Sequence, residues 1–211
     1  MSRFTLADVF TVLNGLFGLL AVYHIYDGLA VLFLLCAVLC DGLDGFVARR
    51  STEAEEQGVV MDSLSDSVSF VLMPALCLFS LQGSGWLAFL YAFSAFVYMW
   101  CGLYRLSRFT TYDSDLSNFS GLPTPEAALL LVLSIKVLNA GALAIPLSIF
   151  LSVLMISGAR YPKIRGKLSL VAGAIVLLSM TLFFVWSSFL YVLFFFLLAY
   201  LSMPLFFRSD R

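Results

Sequence analysis

Four aspartates, Asp41, Asp44, Asp62 and Asp66, stand in a chain that is otherwise largely membrane hydrocarbon. They belong to one spaced pattern, D-x2-D-G-x2-A-R-x8-G-x3-D-x3-D, which runs from Asp41 through Gly45, Ala48, Arg49 and Gly58 to Asp66. An ionisable side chain inside a membrane span is costly and persists mainly where it works or is paired. On a helix, Asp41 and Asp44 are an i,i+3 pair and Asp62 and Asp66 an i,i+4 pair, so each pair shares one face. Two such faces set across a tight turn surround one small volume with carboxylates that repel one another until cations neutralise them. Hard oxygen ligands of this kind suit Mg²⁺ or Mn²⁺, with Ca²⁺ as a further occupant. Two divalent cations can bridge a diphosphate and hold an in-line displacement, and a carboxylate not fully engaged as a ligand can take a proton from an attacking hydroxyl. Gly45 and Ala48 remove bulk beside the first acidic pair, Gly58 does so opposite them, and Arg49 offers a fork to a phosphate. A lone intramembrane aspartate is often only an ion-pair partner or a proton relay. Four at these spacings, with Gly, Ala and Arg between them, read as a metal site.

The elements that must position this site are membrane helices. The chain is 62% hydrophobic and 12% charged, with a mean hydropathy of +1.00, far outside the range of a soluble domain. A spanning helix needs about 20 mostly apolar residues. Breaks at polar or Gly/Pro points predict helices over 8–26, 29–50, 58–81, 86–108, 124–138, 142–158, 167–186 and 189–207. The breaks near Asn139-Ala140-Gly141 and Ser187-Ser188 are weak in themselves, and the basic residues decide them. All Lys and Arg except Lys136 fall at one set of alternating helix ends, which the positive-inside rule makes cytoplasmic. Merging the fifth and sixth helices would destroy that alternation. The reading is therefore an all-α polytopic protein of about eight transmembrane helices in one integral membrane domain over 1–211. Both termini and the carboxylates face the cytoplasm of a cytoplasmic membrane. Cys36, Cys40, Cys77 and Cys101 lie in apolar runs without CxxC spacing and read as small buried side chains.

The pattern resembles the signature of the CDP-alcohol phosphotransferase family at every fixed position: Asp41, Asp44, Gly45, Ala48, Arg49, Gly58, Asp62 and Asp66. The stretches MDSLSDSVSF (61–70), RLSRF (105–109), FSGLPTPEAA (119–128) and SGARYPK (157–163) further resemble the phosphatidylserine synthase branch. Ser65, Val71 and Leu72 depart from it, where branch members often carry Ala and a Gly-containing run. The resemblance implies a six-helix core holding the active site, about 8–163, followed by additional helices, about 167–207. It implies transfer of a phosphatidyl-type group from a CDP-linked lipid, CDP-diacylglycerol or CDP-archaeol, to L-serine, with release of CMP. In its terms Asp41, Asp44, Asp62 and Asp66 hold Mg²⁺ or Mn²⁺, and Asp66 also serves as general base. Gly45, Ala48, Arg49 and Gly58 fall at CDP-binding positions, and the partners are the CDP-lipid, serine, membrane lipids and a second copy in a homodimer, with no nucleic acid.

Recognition of serine is argued more weakly by the residues themselves. Its carboxylate calls for a cation, and Arg105, Arg108 and Arg160 lie at the appropriate membrane face, where each could equally anchor topology or bind headgroups. Asn14 is either a contact to cytidine or ribose or an interhelical hydrogen bond beside Gly15 and Gly18. His24 lies across the bilayer from the aspartates and reads as interfacial. Two rivals stand beside the serine reading: the same chemistry on glycerol phosphate or inositol phosphate, and a cation- or proton-coupled transporter. Placement of the acids at one membrane face rather than at the midplane disfavours transport.

Overall fold

The computed structural model describes residues 5–48, 56–81, 83–113, 118–162, 167–182 and 189–206. The first helix, α1 (Leu6–Tyr23), begins at a capping box in which Thr5 and Asp8 satisfy each other's backbone N–H groups. It is followed by α2 (Leu29–Ala48) and by α3, which is one continuous rod over 56–79. That rod consists of α-helical Glu56–Asp66, a π-helical stretch Ser67–Leu72 and α-helical Met73–Phe79. Helix α4 (Trp86–Arg108) runs on into a π-turn at Phe109–Asp113, and α5 (Thr124–Lys136), α6 (Gly141–Ile156), α7 (Lys167–Leu182) and α8 (Phe189–Phe206) complete the bundle. Eight helices are thus present among the described residues, with ends within a few residues of those predicted. Leu6–Tyr23, Leu29–Ala48, Gln57–Phe79 and Trp86–Thr111 are long and apolar enough to cross a bilayer, and the protein is an integral membrane protein.

The weak break after α5 has a local cause. Asn139 adopts a left-handed backbone (φ 49°), a conformation Asn tolerates better than most residues. The Leu138 and Ala140 N–H groups turn back to the carbonyls of Leu133 and Ser134, closing the helix end. Just before it, the Lys136 ammonium donates to the Ile25 carbonyl, tying this end of α5 to the turn between α1 and α2. The exposed pair His24–Asp27 occupies the same turn, where the hydrogen bond from His24 holds the Asp27 carboxyl below its ordinary range.

The core runs through the centre of the bundle, and α5 is its axis. Ten of its residues are buried, from Thr124 through Ile135. It packs on α2, α6 and α8, while α1 packs along α2 and α3. Small residues allow the closest of these approaches. A Cβ on Gly18 would lie 2.3 Å from Ser69 Oγ and 2.7 Å from Ser69 Cα, so α1 can meet the π-stretch of α3 only at glycine. Ser69 Oγ then donates to the Asn14 carbonyl at 2.9 Å, and Tyr98 of α4 donates to the Phe70 carbonyl within the widened turn. Gly18→Val is expected to push α1 off α3 and to lower stability by about 1–3 kcal/mol, as overpacking of a close contact does. A thermal melt in detergent would read this, and an unchanged Tm would show that the contact is dispensable.

One feature was absent from the sequence reading, which placed only loops there. Asn118–Ser120 pairs antiparallel with Arg160–Pro162, forming a two-stranded ribbon in the register Asn118↔Pro162. Each strand is three residues long, too short to show a period. Next to it Gly121 sits at φ +85°, with its absent Cβ only 2.2 Å from the Met155 carbonyl oxygen. The Gly121 and Leu122 N–H groups donate to Ala159 and Leu154, so the G-L-P turn is fastened to the end of α6. This fixes where α5 begins.

Candidate active site

Two helices bring the carboxylates together and a third orients them. Asp41 and Asp44 occupy the last turns of α2, and Asp62 and Asp66 the α-helical part of α3 just before the π-stretch. One oxygen from each of Asp41, Asp62 and Asp66 lies within 4.8 Å of the others. Asp44, 5% exposed, accepts a hydrogen bond at Oδ2 from the Thr11 hydroxyl at 2.9 Å. Asn14 Nδ2 donates to Asp66 Oδ1 at 2.9 Å. Thr11 and Asn14 are one turn apart on α1, and both are buried. Helix α1 thus acts as a clamp that fixes one carboxylate from each acidic pair.

Asn14 is fully buried, and its contact in this structure is the interhelical one with Asp66; its Oδ1 is a buried acceptor with no partner among the described residues. Gly45 and Ala48 lie on the last turn of α2, and a Cβ on Gly58 would rest in ordinary contact with Asp8 Oδ1, at 3.8 Å. Arg49 lies outside the described residues. Of Arg160 the backbone is described, in the ribbon, and not the side chain. Arg105 is 7% exposed, donates from Nη1 to Thr124 Oγ1 at 3.2 Å and stacks over the Phe109 ring at 5.4 Å. Its charge acts on Asp62 and Asp66. Arg108, half-buried, is one turn further along α4.

A cavity of about 440 Å³ opens beside Asp41 between α2, α5, α7 and α8. Its walls are mostly apolar, including Leu129, Val176, Leu197 and Phe196, and its polar residues include Asp41, Glu126 and Tyr200. Helices α7 and α8, which the sequence marks only as hydrophobic, form two of the four walls. The sequence marks neither Thr11 as a carboxylate partner nor Glu126 as part of the site. The i,i+3 spacing of Thr11 and Asn14 puts both on one face of α1 without naming the carboxylates they meet. Nothing in the spacing of the chain points to Glu126.

The carboxylate trio fits a metal. All donors are hard oxygens, and Asp62 Oδ1 is buried with no hydrogen-bond partner among the described residues, an arrangement a divalent cation would satisfy.

A polytopic helical membrane protein with acids clustered at one end of its helices and an apolar cavity beside them is built to act on a molecule that is part polar and part lipid. The chain belongs to the CDP-alcohol phosphatidyltransferase family, whose profile matches residues 4–159, the stretch from α1 to α6. It is 35% identical over 173 residues to the CDP-diacylglycerol–serine O-phosphatidyltransferase of Methanocaldococcus jannaschii, covering 82% of this chain and 81% of that one. The archaetidylserine synthase of Methanothermobacter thermautotrophicus is 34% identical over 171 residues, covering 78% of this chain and 72% of its own. The CDP-diacylglycerol–serine O-phosphatidyltransferase of Bacillus subtilis is 34% identical over 158 residues, covering 74% and 88%. The protein is an enzyme of this family.

Proposed function

We propose that the enzyme transfers a phosphatidyl-type group from CDP-diacylglycerol or CDP-archaeol to the hydroxyl of L-serine, releasing CMP. The observation that carries the reading is the clustered trio Asp41, Asp62 and Asp66, with the buried Asp66 held by Asn14, beside a largely apolar cavity. The names of the three relatives support the choice of serine.

In this proposal Asp41, Asp62 and Asp66 would hold Mg²⁺ or Mn²⁺, with Asp44 as the fourth carboxylate of the set. Bound there, the cations would neutralise the diphosphate and the charge that develops on the departing CMP. The protein's own residues do the rest. Gly45, Ala48 and Gly58 leave room for the CDP moiety against the backbone of α2 and α3, and Arg49 pairs with its phosphate. The lipid tails lie along apolar surface while the headgroup meets the acids. The Asp66 carboxylate takes the proton of the serine hydroxyl as its oxygen attacks the lipid-side phosphorus; the new O–P bond forms, and the P–O bond to CMP breaks. The Asn14 amide keeps Asp66 turned toward that hydroxyl. Charged serine enters from the cytoplasmic face, where the positive-inside pattern puts the carboxylates.

The test is purified protein with CDP-lipid, divalent metal and labelled serine. CMP release matched by a labelled serine phospholipid is expected. Efficient transfer to glycerol phosphate or inositol phosphate with none to serine would replace the acceptor and leave the phosphotransferase core standing.

A further inference from the structure

Glu126 has no part in the chemistry above, yet its position gives it one. It sits in the first turn of α5, lines the cavity beside Asp41, and buries Oε2 with no hydrogen-bond partner among the described residues. A buried carboxylate oxygen without a donor is expensive, and a cation bound in the cavity it lines would satisfy it. Arg105 lies close enough for its charge to act on Glu126, but the same guanidinium also faces Asp41, Asp62 and Asp66. Among the described residues, that one guanidinium is shared among four acids. Lys136, the cation of α5 itself, is engaged at the far end of that helix on the Ile25 carbonyl. Thr124, which accepts a hydrogen bond from Arg105, is two residues before Glu126, so the first turn of α5 sets the guanidinium and the carboxylate in one frame.

Resting on the serine reading of this site, we infer that Glu126 receives the α-ammonium of the amino-acid acceptor while Arg105 receives its carboxylate. A zwitterion suits both groups at once: its ammonium is a donor for the Glu126 oxygen, and its carboxylate matches the guanidinium fork of Arg105. With both ends held, the hydroxyl is the group left free to reach Asp66. An acceptor lacking the ammonium would leave the buried Glu126 Oε2 without that donor, and a site built around a polar group rejects the analogue that lacks it. The bland alternative is that Glu126 merely complements the N-terminus of α5, as first-turn acids do. Such a role would stabilise the helix without choosing among acceptors.

The two roles separate in an acceptor comparison. Wild-type enzyme is assayed with L-serine and with 3-hydroxypropanoate, which keeps the hydroxyl and carboxylate but has no ammonium. Serine should be preferred by about 10- to 100-fold in kcat/KM, the size of a lost charge-assisted hydrogen bond. Glu126→Gln should remove most of that preference by raising the serine KM, with little change in the KM for CDP-lipid. Arg105→Lys keeps the charge but loses the fork, and should raise KM for both acceptors alike. Equal use of the two acceptors by wild type, or a preference that survives Glu126→Gln, would overturn the assignment. The wild-type comparison holds even if the variant does not fold. Failure of the serine reading itself looks different: wild type would then form no serine phospholipid at all.

Discussion

Excess EDTA should abolish turnover, and Mg²⁺ or Mn²⁺ should restore it. The expectation rests on the geometry of α2 and α3, which force Asp41, Asp62 and Asp66 to within 4.8 Å of one another in a membrane-embedded setting. Like charges at such separations repel strongly where water is scarce, and the described surroundings offer chiefly Arg105 in compensation. Divalent cations neutralise the cluster far better than a single guanidinium. Asp41→Asn and Asp62→Asn should each weaken metal binding as well as slow the reaction, since an amide supplies an oxygen but no charge. The two effects are separable by titrating activity against Mg²⁺: a lost ligand shifts the midpoint to higher metal, and excess metal recovers part of the rate. Full activity in excess chelator would sink the metal proposal. A variant whose rate falls with an unmoved midpoint would remove that aspartate from the ligand set.

Most of what positions this site was legible in the sequence, and what escaped shares one physical character. Helix ends showed because Gly, Pro and polar residues interrupt apolar runs, and because basic residues mark alternate ends. Even the weak break at Asn139 was recoverable from charge placement, although its cause, a left-handed residue, is a backbone fact. The acidic pairs showed because their spacing matches the helical period, which puts partners on one face without reference to the rest of the fold. The clamp from α1 did not show. Thr11 and Asp44 are 33 residues apart and Asn14 and Asp66 are 52 apart, so no local pattern links them. The π-stretch of α3 is equally silent, because widening a turn depends on what packs against it, here Tyr98 and α1. Glu126 and the walls from α7 and α8 come together only when the bundle closes. Helical periodicity reveals faces; it does not reveal which faces meet.

Asp66→Asn should keep CDP-lipid and part of its metal bound, held by Asp41 and Asp62, and nearly stop the chemistry. Loss of a general base typically costs about 10²–10⁴ in rate. This substitution suits the test because the hydrogen bond that orients the residue survives it. Asn14 Nδ2 donates to Asp66 Oδ1, and an asparagine at 66 still offers a carbonyl oxygen to that amide. The side chain therefore keeps its place while losing its ability to take a proton. Asn14→Ala gives the complementary perturbation, leaving the carboxylate its basicity but removing what aims it. Its rate should fall less than that of Asp66→Asn, with CDP-lipid affinity little changed. In the double variant the loss should be close to that of Asp66→Asn alone, because a positioning residue has nothing left to position once the base is gone. Calorimetry with CDP-lipid completes the argument. If Asp66→Asn abolishes binding outright, Asp66 is chiefly a ligand and the base lies elsewhere; if losses in the double variant simply multiply, Asn14 acts independently of Asp66, and direct contact with the nucleotide becomes its better assignment.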